Sequence, residues 1–243
     1  MFTIASIEDL CHYAHVGLKG LTGKPRSIVL EFQGLNRYEF FVQPSCELEL
    51  ELASENILYV IPYTAPWSWM NECAVAYTNR LLDEIFRLFD LPQDTPIVAT
   101  GYSMGGLAAL MYPVFASRPI AAAMANSPVC DLVGHYYERG DVPRTLANAF
   151  ITYPDGIAAG IESRSPLHQL DKMKDIPYFI VAGDCDTEVL VERHCVKMIA
   201  AMKERGMRVI YHQLPTMRHW QIDDYSVLRA AISFVKGGWK DVE

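Results

Sequence analysis

A serine, an acidic residue and a histidine occur in this sequence in an order that suits nucleophilic catalysis. Ser103 is the centre of Gly101-Tyr102-Ser103-Met104-Gly105, between an apolar run of strand composition and a helix-forming run. This context predicts a sharp strand-to-helix turn that exposes the hydroxyl, with the free N–H groups of the helix directed at developing negative charge. Such a serine attacks carbonyl carbons when a histidine takes its proton and an acid orients that histidine.

The candidate base and acid come from loops after late predicted strands. His219 is the histidine that follows the last strand, and both Asp184 and Asp186 follow the strand before it. The spacing Gly183-x-x-Asp186-x-x-Val189 favours Asp186 as the acid, because it places that residue on the loop with an apolar residue under it. Asp184 would then accept hydrogen bonds from loop N–H groups. Both aspartates would also suit a solvated acidic helix start.

The order Ser103, Asp186, His219 along the chain predicts acyl transfer through a covalent acyl-enzyme, without a metal or an organic cofactor. The Met104 backbone N–H is the first expected donor to the oxyanion. A second donor is expected from the loop after the strand at 27–32. The candidates for this second donor are the Gln33 side-chain amide, the Gly34 N–H and the Leu35 N–H.

The elements that must position these residues predict an α/β fold, a mainly parallel sheet with helices on both faces. Buried strands are expected at 27–32, 56–61, 97–100, 121–127, 176–183 and 208–214. Helices are expected at 4–18, 71–90, 189–205 and 222–236, and after the serine turn. Residues 37–52 give no firm prediction.

Aromatic residues follow the strand at 56–61, on the sheet edge where ligands bind in open α/β sheets. Tyr63, Trp67 and Trp69, together with Tyr102 beside the serine, are candidates for the wall of a substrate pocket. The alternative for the two tryptophans is that they pack their loop onto the domain. Residues 129–166 interrupt the strand–helix alternation and predict a short cap or lid insertion within one domain, 1–243.

Composition excludes several classes of protein. The chain has 243 residues, 51% hydrophobic and 21% charged, and its net charge of −8 without a basic run argues against a nucleic-acid partner. No signal peptide is expected, because residues 1–9 have no basic region and soon become acidic, and no apolar run approaches the roughly 20 residues of a membrane span. Six cysteines without C-x-x-C spacing predict reduced thiols and a cytoplasmic protein. Cys11, His12 and His15 are only a weak metal signal.

Residues 96–236 resemble the catalytic domain of the prolyl oligopeptidase family of α/β-hydrolases. The matching motifs are Gly101-Tyr102-Ser103-Met104-Gly105-Gly106, Ser127-Pro128-Val129-Cys130-Asp131-Leu132, Ser165-Pro166-Leu167, Gly183-x-x-Asp186-x-x-Val189 and His219. The resemblance implies an α/β-hydrolase fold, with Asp186 and His219 where the family keeps its acid and base. It also implies a hydrolase of peptides, acylaminoacyl groups or esters, including acylated sugars.

This chain departs from the family pattern in two places. Gln33-Gly34-Leu35 stands where the family often has His-Gly-Gly or Tyr-x-Gly, which leaves the second oxyanion donor open. No β-propeller is expected, because the sheet uses the residues before the serine turn, and this favours an esterase over an oligopeptidase.

Three functions therefore compete. The leading hypothesis is a serine hydrolase that cleaves carboxylic esters of small acyl substrates. The alternatives are a small peptidase or aminoacyl hydrolase and a non-catalytic ligand-binding relative, which the intact triad disfavours. The expected partner is a small acyl substrate or a short peptide, with no nucleic acid and no membrane. The oligomeric state is open.

Overall fold

A computed structural model describes residues 2–37 and 47–242, and within them seven strands form one sheet. The strands are β1 (Ala14–Val16), β2 (Ser27–Phe32), β3 (Ile57–Pro62), β4 (Ile97–Tyr102), β5 (Ala122–Asn126), β6 (Tyr178–Gly183) and β7 (Val209–Leu214). Their order across the sheet is β1-β3-β2-β4-β5-β6-β7. Strand β1 pairs antiparallel to β3, and all other pairs are parallel. The predicted α/β fold with a mainly parallel sheet is confirmed.

Eight helices accompany this sheet in the described residues. They are α1 (Glu47–Ser54), α2 (Glu72–Leu88), α3 (Met104–Phe115), α4 (Leu132–Glu138), α5 (Val142–Phe150), α6 (Ile157–Ser163), α7 (Lys197–Glu204) and α8 (Tyr225–Lys236). Helices α1 and α8 bury their apolar residues on one face of the sheet. Helices α2, α3 and α7 pack on the other face, and α4, α5 and α6 lie in the connection between β5 and β6.

Complete burial distinguishes β3 and β6, which each lie one strand in from an edge of the sheet. Every residue of β3 and β6 is buried, as expected for parallel strands covered on both faces. Strand β5 is rich in alanine, and its small side chains leave room for α3 to pack closely against the sheet. Because all the parallel strands end at the same edge, the loops after β2, β4, β6 and β7 meet there.

The N-terminal segment corrects one prediction. The sequence predicts a helix over 4–18, but a short 3-10 turn at Glu8–His12 leads into β1 instead. Strand β1 covers the outer edge of β3, with His15 opposite Ile61. Pairing with β3 satisfies backbone groups that an uncovered edge strand would leave open, and this outweighs local helix propensity.

Two other segments refine the sequence prediction. The helix predicted over 189–205 is a π-helical turn at Glu192–Val196 that continues into α7. Helix α1 begins in the stretch 37–52, for which no firm prediction was possible, and residues 38–46 of that stretch lie outside the described residues.

Candidate active site

Ser103 occupies a strained turn between β4 and α3. Its backbone has φ 57° and ψ −122°, a conformation that L-residues rarely adopt and that surrounding contacts must maintain. The Ser103 N–H donates to the Asn126 carbonyl at 2.9 Å, which ties the turn to the end of β5. The Ser103 carbonyl accepts from the Leu107 N–H at 3.1 Å and so starts the helix.

Glycines on both sides of Ser103 make this turn sterically possible. A Cβ atom at Gly101 would lie 2.7 Å from the Phe32 carbonyl oxygen, and one at Gly105 would lie 2.5 Å from the Phe32 carbonyl carbon. Real Cβ atoms do not approach backbone so closely. The helix therefore starts directly against the carboxyl end of β2, and only glycine fits at both positions.

His219 and Asp186 are in direct contact. The His219 Nδ1 atom lies 2.7 Å from Asp186 Oδ2, and because an ionised carboxylate only accepts, Nδ1 carries the donated proton. Asp186 Oδ1 accepts from the N–H groups of Glu188 at 2.8 Å and Val189 at 2.9 Å. Burial acts to raise the pKa of Asp186, but the His219 and backbone hydrogen bonds outweigh it and leave this pKa below its usual value.

Asp184 has a different environment. Its side chain is exposed, and its Oδ1 accepts from the Gln213 side-chain amide at 2.6 Å. The expected hydrogen bonds from loop N–H groups to this carboxylate are replaced by a side-chain contact with β7. Of the two candidate acids, the structure brings Asp186, not Asp184, to His219.

Ser103 and His219 line one cleft of about 340 Å³, here called the Ser103 cleft. Its lining residues are Gly34, Leu35, Asn36, Arg37, Tyr102, Ser103, Arg139, Glu188, His219 and Trp220. Several of these residues were not predicted from the sequence. Asn36 and Trp220 directly follow predicted site residues and Arg37 is two positions past Leu35, so adjacency was an available signal. Arg139 and Glu188 are distant in sequence and had none.

Arg139 and Glu188 form an ion pair at the rim of this cleft. Arg139 also contacts Asp141 at 2.8 Å. Burial acts to lower the pKa of the Arg139 guanidinium, but the carboxylates of Asp141 and Glu188 outweigh it and raise this pKa. The cleft therefore has a charged rim beside Ser103.

The predicted oxyanion donors separate into two groups. Met104 is the first residue of α3, where N–H groups have no partner within the helix, and Gly34 and Leu35 line the cleft. The Gln33 side chain does not line it, and its Nε2 lies 3.4 Å from Glu31 Oε1. The geometry thus favours backbone donors from this loop over the Gln33 amide.

The family of this chain is identified by a match to a family sequence profile. The profile of the prolyl oligopeptidase family matches residues 90–236, more than half of the chain. The chain belongs to the prolyl oligopeptidase family. It is therefore an enzyme of a serine hydrolase family. The family resemblance predicted from the sequence motifs is confirmed. Among curated protein sequences, none matches this chain.

Solved structures of other hydrolases share the fold. The fluorophosphonate-binding serine hydrolase F of Staphylococcus aureus is 17% identical, with a TM-score of 0.67 over 90% of this chain and 87% of that chain. An esterase of Thermogutta terrifontis with bound propionate is 18% identical, with a TM-score of 0.65 over 94% and 88%.

The same fold occurs as part of a larger peptidase. Dipeptidyl peptidase 4 of Porphyromonas gingivalis is 18% identical, with a TM-score of 0.68 over 95% of this chain. This chain covers 33% of that peptidase chain. At such identities the likeness shows the α/β-hydrolase fold of the family, not a substrate.

The predicted pocket aromatics of this prolyl oligopeptidase family member lie in different places. Tyr102 lines the Ser103 cleft. Trp69 is 1% exposed, and its Nε1 donates to the Thr145 hydroxyl at 2.9 Å, so it packs its loop onto α5. Trp67 does not line the cleft, but its Nε1 donates to Oδ1 of Asn36, which does. Tyr63 does not line the cleft, and its N–H donates to the Tyr13 carbonyl.

Among the residues that the structure describes, one group could hold a metal ion: His135, Glu138 and His194, whose ligand atoms lie within 4.8 Å of one another. However, the Asp131 N–H donates to His194 Nδ1 at 3.0 Å, which places the proton of the neutral ring on Nε2. That Nε2–H donates to Glu138 at 2.9 Å. This donor set fits a closed hydrogen-bond network better than a metal site.

This network joins α4 to the π-helical turn at Glu192–Val196, which precedes α7. Glu138 is at the end of α4, and it also lies near His135 at 3.1 Å and Arg193 at 3.3 Å. Burial is the main cause that lowers the pKa of His194 and the pKa of His135, the latter to about 4. Both rings are therefore neutral at pH 7.

No helix in the described ranges has the length and apolar character to cross a bilayer.

Proposed function

We propose that this chain hydrolyses carboxylic esters of small acyl substrates, with Ser103 as nucleophile, His219 as base and Asp186 as the orienting acid. The observation that carries the proposal is the 2.7 Å contact between Asp186 and His219 at a cleft that also contains Ser103. The strained backbone of Ser103 supports it, because such strain concentrates at functional sites.

Acylation would proceed as follows. With its Nδ1 proton donated to Asp186, His219 has a lone pair on Nε2 that accepts the Ser103 proton while the serine oxygen bonds to the ester carbonyl carbon. Asp186 stays ionised because its pKa is low, so it stabilises the imidazolium that forms. The imidazolium then protonates the leaving alcohol as the ester C–O bond breaks, which leaves the acyl group on Ser103.

The negative charge on the carbonyl oxygen would be held by backbone N–H groups of Met104 and of Gly34 or Leu35. The Met104 N–H belongs to the first turn of α3, whose dipole also favours negative charge at that end. Preorganised donors of this kind commonly contribute about 10²–10³ in rate each. Water, deprotonated by His219, would then attack the acyl carbon and release the acid and free Ser103.

A small acyl substrate is supported by the size of the cleft. About 340 Å³ accommodates a small acyl group, and the Arg139–Glu188 ion pair bounds it on one side. We propose that the insertion at 129–166, with α4, α5 and α6, acts as a cap on a single domain, because Arg139 at the end of α4 lines the cleft. A small peptidase or aminoacyl hydrolase is the second candidate, since the family includes peptidases.

Labelling with a fluorophosphonate probe, followed by peptide mapping, tests the nucleophile. A single adduct on Ser103 is expected, and Ser103→Ala and His219→Ala should both abolish it without unfolding the protein. Labelling of another residue, or no labelling of folded protein, would contradict the assignment and favour a non-catalytic relative.

A substrate comparison tests the ester preference. The p-nitrophenyl esters of acetate and butyrate should be cleaved by the wild type but not by Ser103→Ala. Aminoacyl and dipeptidyl p-nitroanilides should be cleaved at least about a hundredfold less efficiently in kcat/KM. The reverse order would establish the peptidase alternative.

The remaining expectations about location and partners stay predictions. We propose a cytoplasmic location, which the free cysteines found among the described residues support. The partner proposed is the acyl substrate itself. Size-exclusion chromatography with light scattering would determine the oligomeric state.

A further inference from the structure

A second cavity lies on the other side of Tyr102, between the sheet and α8. It has a volume of about 170 Å³ and is here called the Glu31 cavity. Its walls are mostly apolar: Val29, Leu48, Met124, Ile222, Leu228, Ala231, Ile232 and Val235, with Gly101 and Tyr102 at one end. Three polar side chains also line it, those of Glu31, Thr100 and Asn126.

Glu31 is an unexpected residue on this face. Strand register places it beside Thr100 of β4, on the sheet face that α1 and α8 cover with apolar side chains. Its carboxyl accepts a hydrogen bond from the Tyr59 hydroxyl, and the Gln33 amide is 3.4 Å away. Burial is the main cause that raises the pKa of Glu31. The proposed hydrolysis at Ser103 does not use this carboxyl.

Two buried side-chain oxygens in and beside this cavity lack a hydrogen-bond donor among the described residues. The Asn126 Nδ2 donates to the Trp220 carbonyl at 2.6 Å, and the Thr100 hydroxyl donates to the Met124 sulfur at 3.2 Å. Within the described part of the chain, Asn126 Oδ1 and Gln33 Oε1 are buried without a hydrogen-bond partner. Unsatisfied buried acceptors are rare and costly, so such a group requires an explanation.

We propose that the Glu31 cavity binds a primary ammonium group carried on a short apolar chain or ring. The ammonium would donate to the Glu31 carboxylate, while the apolar part would fill the space against α8. Asn126 Oδ1 would supply a further acceptor from the cavity wall. A carboxylate, a phosphate or another acceptor-rich ligand would meet an acidic group and an unpaired oxygen, and is disfavoured.

The cavity adjoins the Ser103 cleft. Tyr102 lines both spaces, and its ring packs against Trp220 at 5.7 Å between centroids. Asn126 holds the Trp220 carbonyl in place. A bound amine would therefore share a wall residue, Tyr102, with the cleft that contains Ser103. Amine binding in the Glu31 cavity does not depend on whether Ser103 hydrolyses esters.

Calorimetric titration with benzylamine tests this binding, with benzyl alcohol as the uncharged ligand of similar shape. Benzylamine is expected to bind the wild type at least about tenfold more tightly than benzyl alcohol, because a charge-assisted hydrogen bond is the stronger kind. Glu31→Gln, which keeps the side-chain shape, should weaken benzylamine about tenfold or more and leave benzyl alcohol unchanged. Urea unfolding provides the folding control for this variant.

Two further variants locate the site. Ala231→Leu adds volume at the cavity wall and should abolish binding of both ligands. Glu188→Gln, in the neighbouring cleft, should leave benzylamine affinity unchanged. The proposal is overturned if Glu31→Gln binds benzylamine as tightly as the wild type does. It is also overturned if the wild type binds benzylamine and benzyl alcohol equally, or if Glu188→Gln loses benzylamine affinity instead. Labelling of Ser103 has no bearing on these outcomes, so the two proposals fail separately.

Discussion

Two aspartates two positions apart differ sharply at the residue scale. Asp186 is 5% exposed and receives three hydrogen bonds, one of them from His219. Asp184 is exposed and contacts Gln213. A carboxylate can hold a histidine tautomer and stabilise its protonated form only in direct contact, so the geometry assigns that capacity to Asp186.

Asp186→Asn should lower kcat for p-nitrophenyl acetate by about 10⁴-fold, because the amide no longer accepts the Nδ1 proton as a carboxylate does. Asp184→Asn is the matched control, with the same chemical change on the same loop, and should keep kcat within about threefold. Steady-state kinetics measures both. A larger loss in Asp184→Asn than in Asp186→Asn would reverse the choice of acid.

At the scale of elements, the strand-to-helix turn at Ser103 depends on how closely α3 approaches β2. The Phe32 carbonyl faces both Gly101 and Gly105, so the strand end and the helix start share one tight contact. Gly106 extends this contact to the next loop, since a Cβ there would lie 2.9 Å from Pro128 Cα. The turn that exposes Ser103 is therefore held by backbone packing between three elements.

Gly105→Ala should destabilise the protein by roughly 3 kcal/mol, because the added methyl forces the helix away from the Phe32 carbonyl. Gly23→Ala is the control, since nothing lies within 4 Å of a Cβ at that position. Urea unfolding followed by circular dichroism measures the free energy of both variants. Equal stability of the two variants would show that α3 moves without cost.

For the whole molecule, two buried histidines make stability depend on pH. His135 and His194 are 2% and 0% exposed, and both have lowered pKa values because of burial. Below the ordinary histidine pKa of about 6.5, the unfolded chain binds protons that the folded chain does not. Stability is therefore lost as pH falls from that value towards the folded pKa, about 4 for His135.

The free energy of unfolding should fall by about 2 kcal/mol between pH 7 and pH 5 from His135 alone, with a further loss from His194. His135→Gln should flatten this pH dependence, even if it also lowers stability at pH 7. His12→Gln, at an exposed position, should leave the dependence unchanged. Urea titrations at the two pH values measure the unfolding free energy of each variant. If this free energy falls as much in His135→Gln as in the wild type, the buried His135 is not the cause of the pH dependence.

Much of the fold could be predicted from sequence, because its causes are local. Apolar runs predicted the positions of β2 to β7, and the glycines around Ser103 predicted the strand-to-helix turn. The placement of Asp186 and His219 after the last two strands followed from the topology of a parallel sheet. In each case, the steric or hydrophobic requirement is met by residues that are close in the chain.

Tertiary contacts decided the rest. Within the segment at 4–18, Ala14–Val16 form β1 because β3 offers an open edge, and Trp69 is a core residue because Thr145 and α5 lie next to it. Arg139 and Glu188 reach the cleft from separate parts of the chain, and Glu31 faces a cavity that α8 completes. Such placements depend on surfaces that exist only after the sheet and helices have packed, so no local pattern could encode them.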